Sequence, residues 1–437
     1  MNPSLAAARG VATAMLAGSW NASSMRRRVT ECLVRDRTPR WVPRLVSQVL
    51  ELYPRPPRDR PRELAEVVRR LPAWQSGLRS TRPPRVLLWL VEPTEMASTR
   101  WPVLALPEVG ALARLLDVDT GELDWFADTR GLERRVGEPL RHYRWSAMPK
   151  RDGVRLLAAP KPRLKEIHRR LLRHVLAPIA LHPAAHGGVP GRSVASALAP
   201  HAGAQVVIRA DLESFFAAIP ARRVYGVLRS AGYPEVVAYT VTGLCTTVVP
   251  RAVWQAIGPP GDLDRHRRLG QSLAVPHLPQ GAPTSPALAN LVAFSLDRRL
   301  SGLARAFDAE YTRYVDDLTF SGSGRLRAGR SAFVEQLAAI AKDEGFRLVD
   351  AKTVVLGSAG RQQALGAVLN HHPTLSRPER DALRAVLHNC ATHGWRSQAR
   401  GRENFPAQLL GRIGHVTGLD PALGAKLRSR YDLIDWT

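Results

Sequence analysis

Apolar and polar positions alternate differently along the chain, giving a helix-patterned beginning, a strand-bearing middle and a helix-patterned end. Residues 205–216 read as an apolar strand ending at Asp211, followed by a break into an aromatic-rich helical turn. In residues 311–320, two β-branched and aromatic arms flank Asp316 and Asp317, the polar break that a hairpin needs at its tip. Between these elements, residues 277–290 form a Pro-rich loop that opens an apolar helical stretch over 288–300, with Thr284 or Ser285 as candidate cap. Residues 346–351 are strand-like and follow a helix that ends near Gly345. Upstream, helical patterns over 41–53 and 63–71 flank a Pro/Arg-rich stretch, 54–62, which reads as a linker. An amphipathic helix from Leu106 leads into a small docking unit over 117–126. Beyond Asn370 the pattern is helical, broken at Pro373, Gly394, Gly401 and Gly418. Ser376 is a candidate cap there, with Pro378 in the first turn and Glu379 three residues after the cap. The fold class is therefore α+β.

Composition narrows the partner. The chain of 437 residues carries 63 Lys+Arg against 38 Asp+Glu, a formal charge of +25, with arginine dominant. A polyanion is the expected partner, bound in a strongly salt-dependent way because neutralised phosphates release counterions. A GC-rich genome would also raise arginine throughout, so charge supports nucleic acid without proving it. The hydrophobic fraction of 45% suffices for a packed core and two or three structural units. Cys32, Cys245 and Cys390 are widely spaced and odd in number, against disulfides and zinc. No apolar run reaches the ~18 residues of a membrane span, and the first 17 residues do not read as a leader peptide. The expected location is cytoplasmic, with no membrane partner.

The chemistry rests on carboxylates. An Asp-Asp pair alone is usually a solvated turn, and a single Asp ending a strand is ordinary. Taken together, Asp211, Asp316 and Asp317 make a set able to hold two Mg²⁺ ions, which need few protein ligands because they keep waters and bind substrate phosphates. A pair of ions activating the attacking hydroxyl and stabilising the leaving oxygen implies in-line phosphoryl transfer. The loop before Leu288 suits contact with a base pair or phosphate, since helix N-termini offer free N–H groups; its other reading is a Pro-rich connector.

In order along the chain, several blocks resemble bacterial retron-type reverse transcriptases: Lys150 to Pro160 with Lys161 to Lys165, His182 to Ser193, the Asp211 strand with Phe215 and Phe216, Leu278 to Pro286, the hairpin Tyr314-Val315-Asp316-Asp317, and Lys352-Thr353. The resemblance covers residues 141–437 and implies a right-hand polymerase fold, with fingers and an antiparallel palm over 141–370 and a helical thumb over 371–437. A basic helical extension, 1–95, and a small helical docking region, 96–140, precede it. Such an extension is similar to that of myxobacterial retron enzymes, and suits RNA or partner contact, or plain solvation. Asp211, Asp316 and Asp317 take the place of the catalytic metal ligands. Phe216 resembles the residue that excludes a ribose 2′-hydroxyl, against the other reading of a core aromatic. Gln280 and Gly281 resemble the nucleotide-pocket lining, where glycine allows close backbone approach. Lys150 and Arg155 resemble fingers residues that close on the triphosphate. Lys352 resembles a lysine that helps protonate the pyrophosphate leaving group, against a solvated strand-end lysine.

The chain departs from the retron pattern in two blocks. An Asn-Ala-x-x-His block reads Ala197 to His201 here, and a Val-Thr-Gly triplet reads Ala364-Leu365-Gly366, so His201 and Gly366 alone survive. Group II intron-like and other defence-associated reverse transcriptases share the chemistry and differ in template. A non-catalytic RNA-binding scaffold is the reading from another class. The resemblance implies deoxynucleoside triphosphates and Mg²⁺, a structured noncoding RNA as template and primer, an RNA–DNA hybrid, and a separate effector protein in antiphage defence.

Overall fold

The computed structural model describes residues 3–33, 37–129, 131–150, 153–258 and 262–436. They form two compact bodies, the first built from residues 1–149, 154–178 and 221–258, the second from 150–153, 179–220 and 259–437.

The first body begins with five helices, α1 (Pro3–Leu16), α2 (Ala22–Leu33), α3 (Trp41–Leu52), α4 (Pro61–Arg70) and α5 (Pro72–Leu78). Their apolar stripes meet in a core of their own that includes Val11, Met15, Met25, Val29, Leu45, Leu64, Val68 and Trp74. Trp41 and Trp74 meet edge to face at 5.6 Å. The buried Arg28 guanidinium donates to the carbonyls of Ala14, Met15 and Ser19 at 2.7, 2.9 and 2.9 Å. It thereby satisfies acceptors that the end of α1 would leave orphaned. The basic extension is thus a packed helical body, not a solvated arm.

The stretch expected to be a linker is also tied down. Asp59, at φ +54°, accepts from the Glu235 backbone N–H at 2.8 Å and from Arg229. Arg62 lies over the Tyr239 ring, 3.5 Å from its centroid. Further on come α6 (Val109–Leu116) and α7 (Thr120–Ala127), the latter capped by Asp119, which accepts from the N–H groups of Gly121 and Glu122. The hairpin β1 (Tyr143–Lys150) and β2 (Gly153–Pro160) and helix α8 (Pro162–Leu171) follow. His168 of α8 meets the Leu244 carbonyl at 2.7 Å, and burial pushes its imidazole down to about 4.

The second body is built on β3 (Val206–Asp211), β4 (Ala309–Tyr314), β5 (Asp317–Gly322) and β6 (Val354–Gly357), in the order β4-β5-β3-β6. All pairings are antiparallel. Val207, Ile208, Leu318 and Phe320 are fully buried, and the Phe320 ring stacks on Tyr311 at 4.6 Å and meets Phe333 edge to face at 4.9 Å.

Three local expectations need correction. The helical stretch before the hairpin is two helices, Ser285–Val292 and Phe294–Ala306, broken at Ala293. Neither proposed hydroxyl caps the first: Thr284 occupies the cap position without a side-chain bond, and Ser285 Oγ donates to the Pro279 carbonyl at 2.7 Å. The strand expected over 346–351 lies later, at β6, because Asp350–Lys352 winds into a 3₁₀ turn and Leu348 makes an isolated bridge to Leu212. After Asp211, by contrast, the chain breaks at Ser214, φ +50°, into the expected aromatic helical turn, closed by the Ala218 N–H on the Ser214 carbonyl at 2.9 Å.

Helices Arg377–His393, Phe405–Leu419 and Pro421–Asp432 close the body around Leu383, Leu387, Leu409, Ile413 and Leu427. Ser376 does cap the first, in a reciprocal capping box with Glu379.

Candidate active site

Strand register brings the acids together. Asp211, the last residue of β3, lies directly opposite Asp317, the first of β5. Tyr314 pairs with Asp317 across the hairpin, leaving Val315 and Asp316 as a two-residue turn. The Leu212 N–H donates to the Asp316 carbonyl at 2.9 Å, stitching the turn to the segment after β3. Directly opposed residues of an antiparallel pair have Cβ atoms about 4.5–5.5 Å apart, so sequence-distant carboxylates become neighbours. Val315 sits at φ +60°, the left-handed value that a type II′ turn needs at its first central position. For a β-branched residue that conformation is strained.

The electrostatics follow from this crowding. Loss of solvation, and then the negative charges of Asp316 and Asp211, push the Asp317 carboxyl up from its ordinary 3.8 to about 6; Lys352 and Arg209 work in the opposite direction. Asp211 is 6% exposed, and its Oδ2 accepts from Lys352 Nζ at 2.6 Å. Among the described residues no three carboxylate, imidazole or thiol side chains converge as a ready-made metal cage. Oxygen-only donors that repel one another nonetheless suit a hard divalent cation, and Mg²⁺ is usually held by one or two carboxylates plus substrate phosphates.

Around the acids, Phe215 is buried while Phe216 is half-buried, their rings 5.7 Å apart. The core position therefore belongs to Phe215. The loop with Gln280 and Gly281 is joined to the Phe216 turn through the Leu278 N–H, which donates to the Ile219 carbonyl at 3.1 Å, and through a bridge between Pro220 and His277. Gln280 is half-buried; Gly281 is exposed at φ +123°, which requires glycine. Arg155 is exposed on β2 in the first body, and Lys150 ends β1 with its side chain outside the described residues.

Of the neighbours, Glu213, Arg313 and Asp297 carried no signal in the sequence. Glu213 is ringed by Arg268, Arg265 and Arg347 at 3.1, 3.6 and 3.8 Å. Arg313 and Asp297, both fully buried, pair at 2.6 Å beneath the hairpin. His201, pushed down to about 4 by burial, joins Ser321 and Thr312 at 2.7 and 2.8 Å. It ties the 3₁₀ turn Ala199–His201 to β5 and β4. Its place at the end of the Asn-Ala-x-x-His block is the signal that marks it in the sequence.

Acids gathered at the facing ends of the two central strands of an antiparallel sheet define a polymerase palm. Residues 148–369 match the family described as Reverse transcriptase (RNA-dependent DNA polymerase). The Retron Mx65 reverse transcriptase of Myxococcus xanthus is 40% identical over 325 residues, covering 73% of this chain and 70% of that protein. The Retron Mx162 reverse transcriptase of the same organism is 35% identical, covering 76% and 68%. Retron Ec86 reverse transcriptase of Escherichia coli is 29% identical over 54% of this chain and 65% of that protein. Among solved structures, a foamy viral protease-reverse transcriptase in complex with double-stranded DNA aligns at a TM-score of 0.38 and 14% identity, covering 68% of this chain and 41% of that one.

The chain belongs to the reverse transcriptases, RNA-directed DNA polymerases, and among them to the retron enzymes of myxobacterial kind. The departures at Ala197 and at Ala364-Leu365 do not remove it from that group. Reverse transcriptases generally use divalent metal ions, and nucleic acid is the partner.

Proposed function

We propose that this enzyme copies part of a dedicated structured noncoding RNA into DNA, primes from a 2′-hydroxyl within that RNA, and serves antiphage defence with a separate effector protein. The observation that supports catalysis is the direct cross-strand register of Asp211 with Asp317, beside Asp316 in the turn. These carboxylates would hold two Mg²⁺ ions, which when bound supply charge neutralisation at the attacking and leaving oxygens.

The chain's own residues do the rest. Phe216, beside the buried Phe215, closes the space where a ribose 2′-hydroxyl would sit and so selects deoxynucleoside triphosphates. Gln280 and Gly281 line the nucleotide pocket, with backbone approach allowed by the glycine. Lys150 and Arg155 grip the triphosphate from the fingers hairpin. Lys352 donates a proton to the departing pyrophosphate, from a position next to Asp211 Oδ2. The helical tail over 371–437 acts as a thumb that follows the RNA–DNA hybrid by shape and backbone charge, and the enzyme works in the cytoplasm.

The test is sequencing of nucleic acid co-purified with the wild type and with Asp316→Asn/Asp317→Asn, each expressed from the native locus. A short DNA joined covalently to one structured RNA, present with the wild type alone, is the expected result. Equal RNA with both and DNA with neither would leave an RNA-binding scaffold instead.

A further inference from the structure

A strained turn persists where its surroundings over-determine it, and the Val315-Asp316 turn is held from three sides. Arg313 Nη1 donates to the Val315 carbonyl at 3.0 Å. The Leu212 N–H holds the Asp316 carbonyl at 2.9 Å. Gly187 lies so close behind that a Cβ there would stand 2.6 Å from the Val315 nitrogen and 2.5 Å from its Cγ2.

Arg313 is itself fixed. Its Nε and Nη2 donate to Asp297 Oδ1 and Oδ2 at 2.8 and 2.6 Å, and its Nη1 also donates to Asn290 Oδ1 at 2.9 Å. Asn290 Nδ2 in turn donates to the Gly187 carbonyl at 2.9 Å. Tyr311 donates its hydroxyl proton to Asp297 Oδ1 at 2.8 Å. One buried guanidinium therefore spans the helix Phe294–Ala306, the helix Ser285–Val292 and the turn, and through Asn290 it reaches the glycine that backs the turn.

We propose that Arg313 is a positioning residue for catalysis: by gripping the Val315 carbonyl it holds the left-handed turn that sets Asp316 beside Asp317 and Asp211. A guanidinium is needed because its planar fork keeps two donors on Asp297 while a third nitrogen serves the turn; an ammonium can keep the ion pair but not that geometry. The inference rests on the reading of Asp316 as a catalytic metal ligand.

The experiment combines Arg313→Lys and Val315→Gly in a double-mutant cycle on the full chain. It measures Mn²⁺ affinity by calorimetry, the melting temperature, and kcat and KM on a template-primer. Arg313→Lys is expected to weaken Mn²⁺ binding about tenfold and lower kcat by about 10–100-fold, the scale of a small misplacement of a reacting group, with the KM for template-primer unchanged. Val315→Gly removes the steric cost of the left-handed turn, so the loss caused by Arg313→Lys should shrink severalfold in its presence.

Unchanged Mn²⁺ affinity per folded molecule, or the same loss with and without Val315→Gly, would overturn the proposal and leave Arg313 a structural ion pair. Should Arg313→Lys fail to fold, Arg313→Met with Asp297→Leu, which replaces the buried pair by apolar side chains and removes the grip on the turn, is measured in its place; wild-type Mn²⁺ affinity there would overturn the proposal equally. Asp316→Asn separates the two readings: synthesis by that variant would remove the catalytic role of Asp316, whereas no synthesis together with wild-type behaviour of Arg313→Lys would remove the role of Arg313 alone.

Discussion

Asp317 shows what a crowd of carboxylates costs the fold that holds it. The folded chain holds the Asp317 proton more tightly than the unfolded chain, with a carboxyl at about 6 against an ordinary 3.8. Stability from this group is therefore fully present below pH 3.8 and lost as pH rises to about 6. Asp317→Asn should raise the melting temperature at pH 8, by the equivalent of about 1 kcal/mol or less because one face of the residue still meets water, and change little at pH 4. A divalent cation should narrow the difference by stabilising the wild type alone. A thermal scan at both pH values, with and without Mg²⁺, checks both points. Phe216→Ala should raise the use of ribonucleotides relative to deoxyribonucleotides by about tenfold or more, since discrimination by exclusion vanishes with the excluding ring; incorporation assays with each triphosphate measure it. Asp317 is singled out in the chain by its place in an Asp-Asp pair between strand-favouring arms, and Phe216 by the resemblance of the block that holds it. Arg313 is not: an arginine in a strand reads as solvated, and its burial depends on Asp297, which belongs to a different element.

Elements with a simple period were legible, and those shaped by distant partners were not. The two arms of the hairpin and the run into Asp211 are β-branched, aromatic and apolar runs bounded by polar breaks, and they fold as strands. The Ser376 cap was equally plain, since its partner Glu379 lies within the same turn. The strand after Gly345 was misplaced because β6 is defined by its pairing with β3, while the partly apolar stretch before it is spent on a bridge and a 3₁₀ turn. In the helix Phe405–Leu419, Gly411, Gly414 and Gly418 have nothing within 4 Å of where a Cβ would sit. Gly411→Ala and Gly414→Ala should each stabilise the protein by about 0.5–1 kcal/mol, the usual penalty of glycine inside a helix, as read by urea denaturation. In contrast, Asp297→Ala leaves the Arg313 charge buried and unpaired and should cost about 3–5 kcal/mol by the same measurement.

At the scale of the whole molecule, charge was legible and grouping was not. A formal charge of +25 predicts that RNA affinity falls steeply and linearly in log[salt], and each arginine that contacts a phosphate should lower that slope by about 1 when replaced. Fluorescence titrations across a salt series give the slope directly. The division into bodies escaped the sequence because residues 221–258 leave the neighbourhood of their chain neighbours and join the N-terminal helices. That choice is made by side chains such as Asp59 and Arg62, which sit in a stretch whose prolines suggest a spacer. The order of strands in the second body also bears on how the protein is born. Strand β3 is covered on one edge by β5 and on the other by β6, both of which come later in the chain. A ribosome adding about 5–20 residues per second leaves this Val- and Ile-rich segment with both edges bare for several seconds after it emerges. An unpaired apolar strand is a template for pairing with other chains, so the newborn polymerase is most prone to aggregation in that interval, and the helical core of α1–α5, complete long before, cannot shield it by pairing.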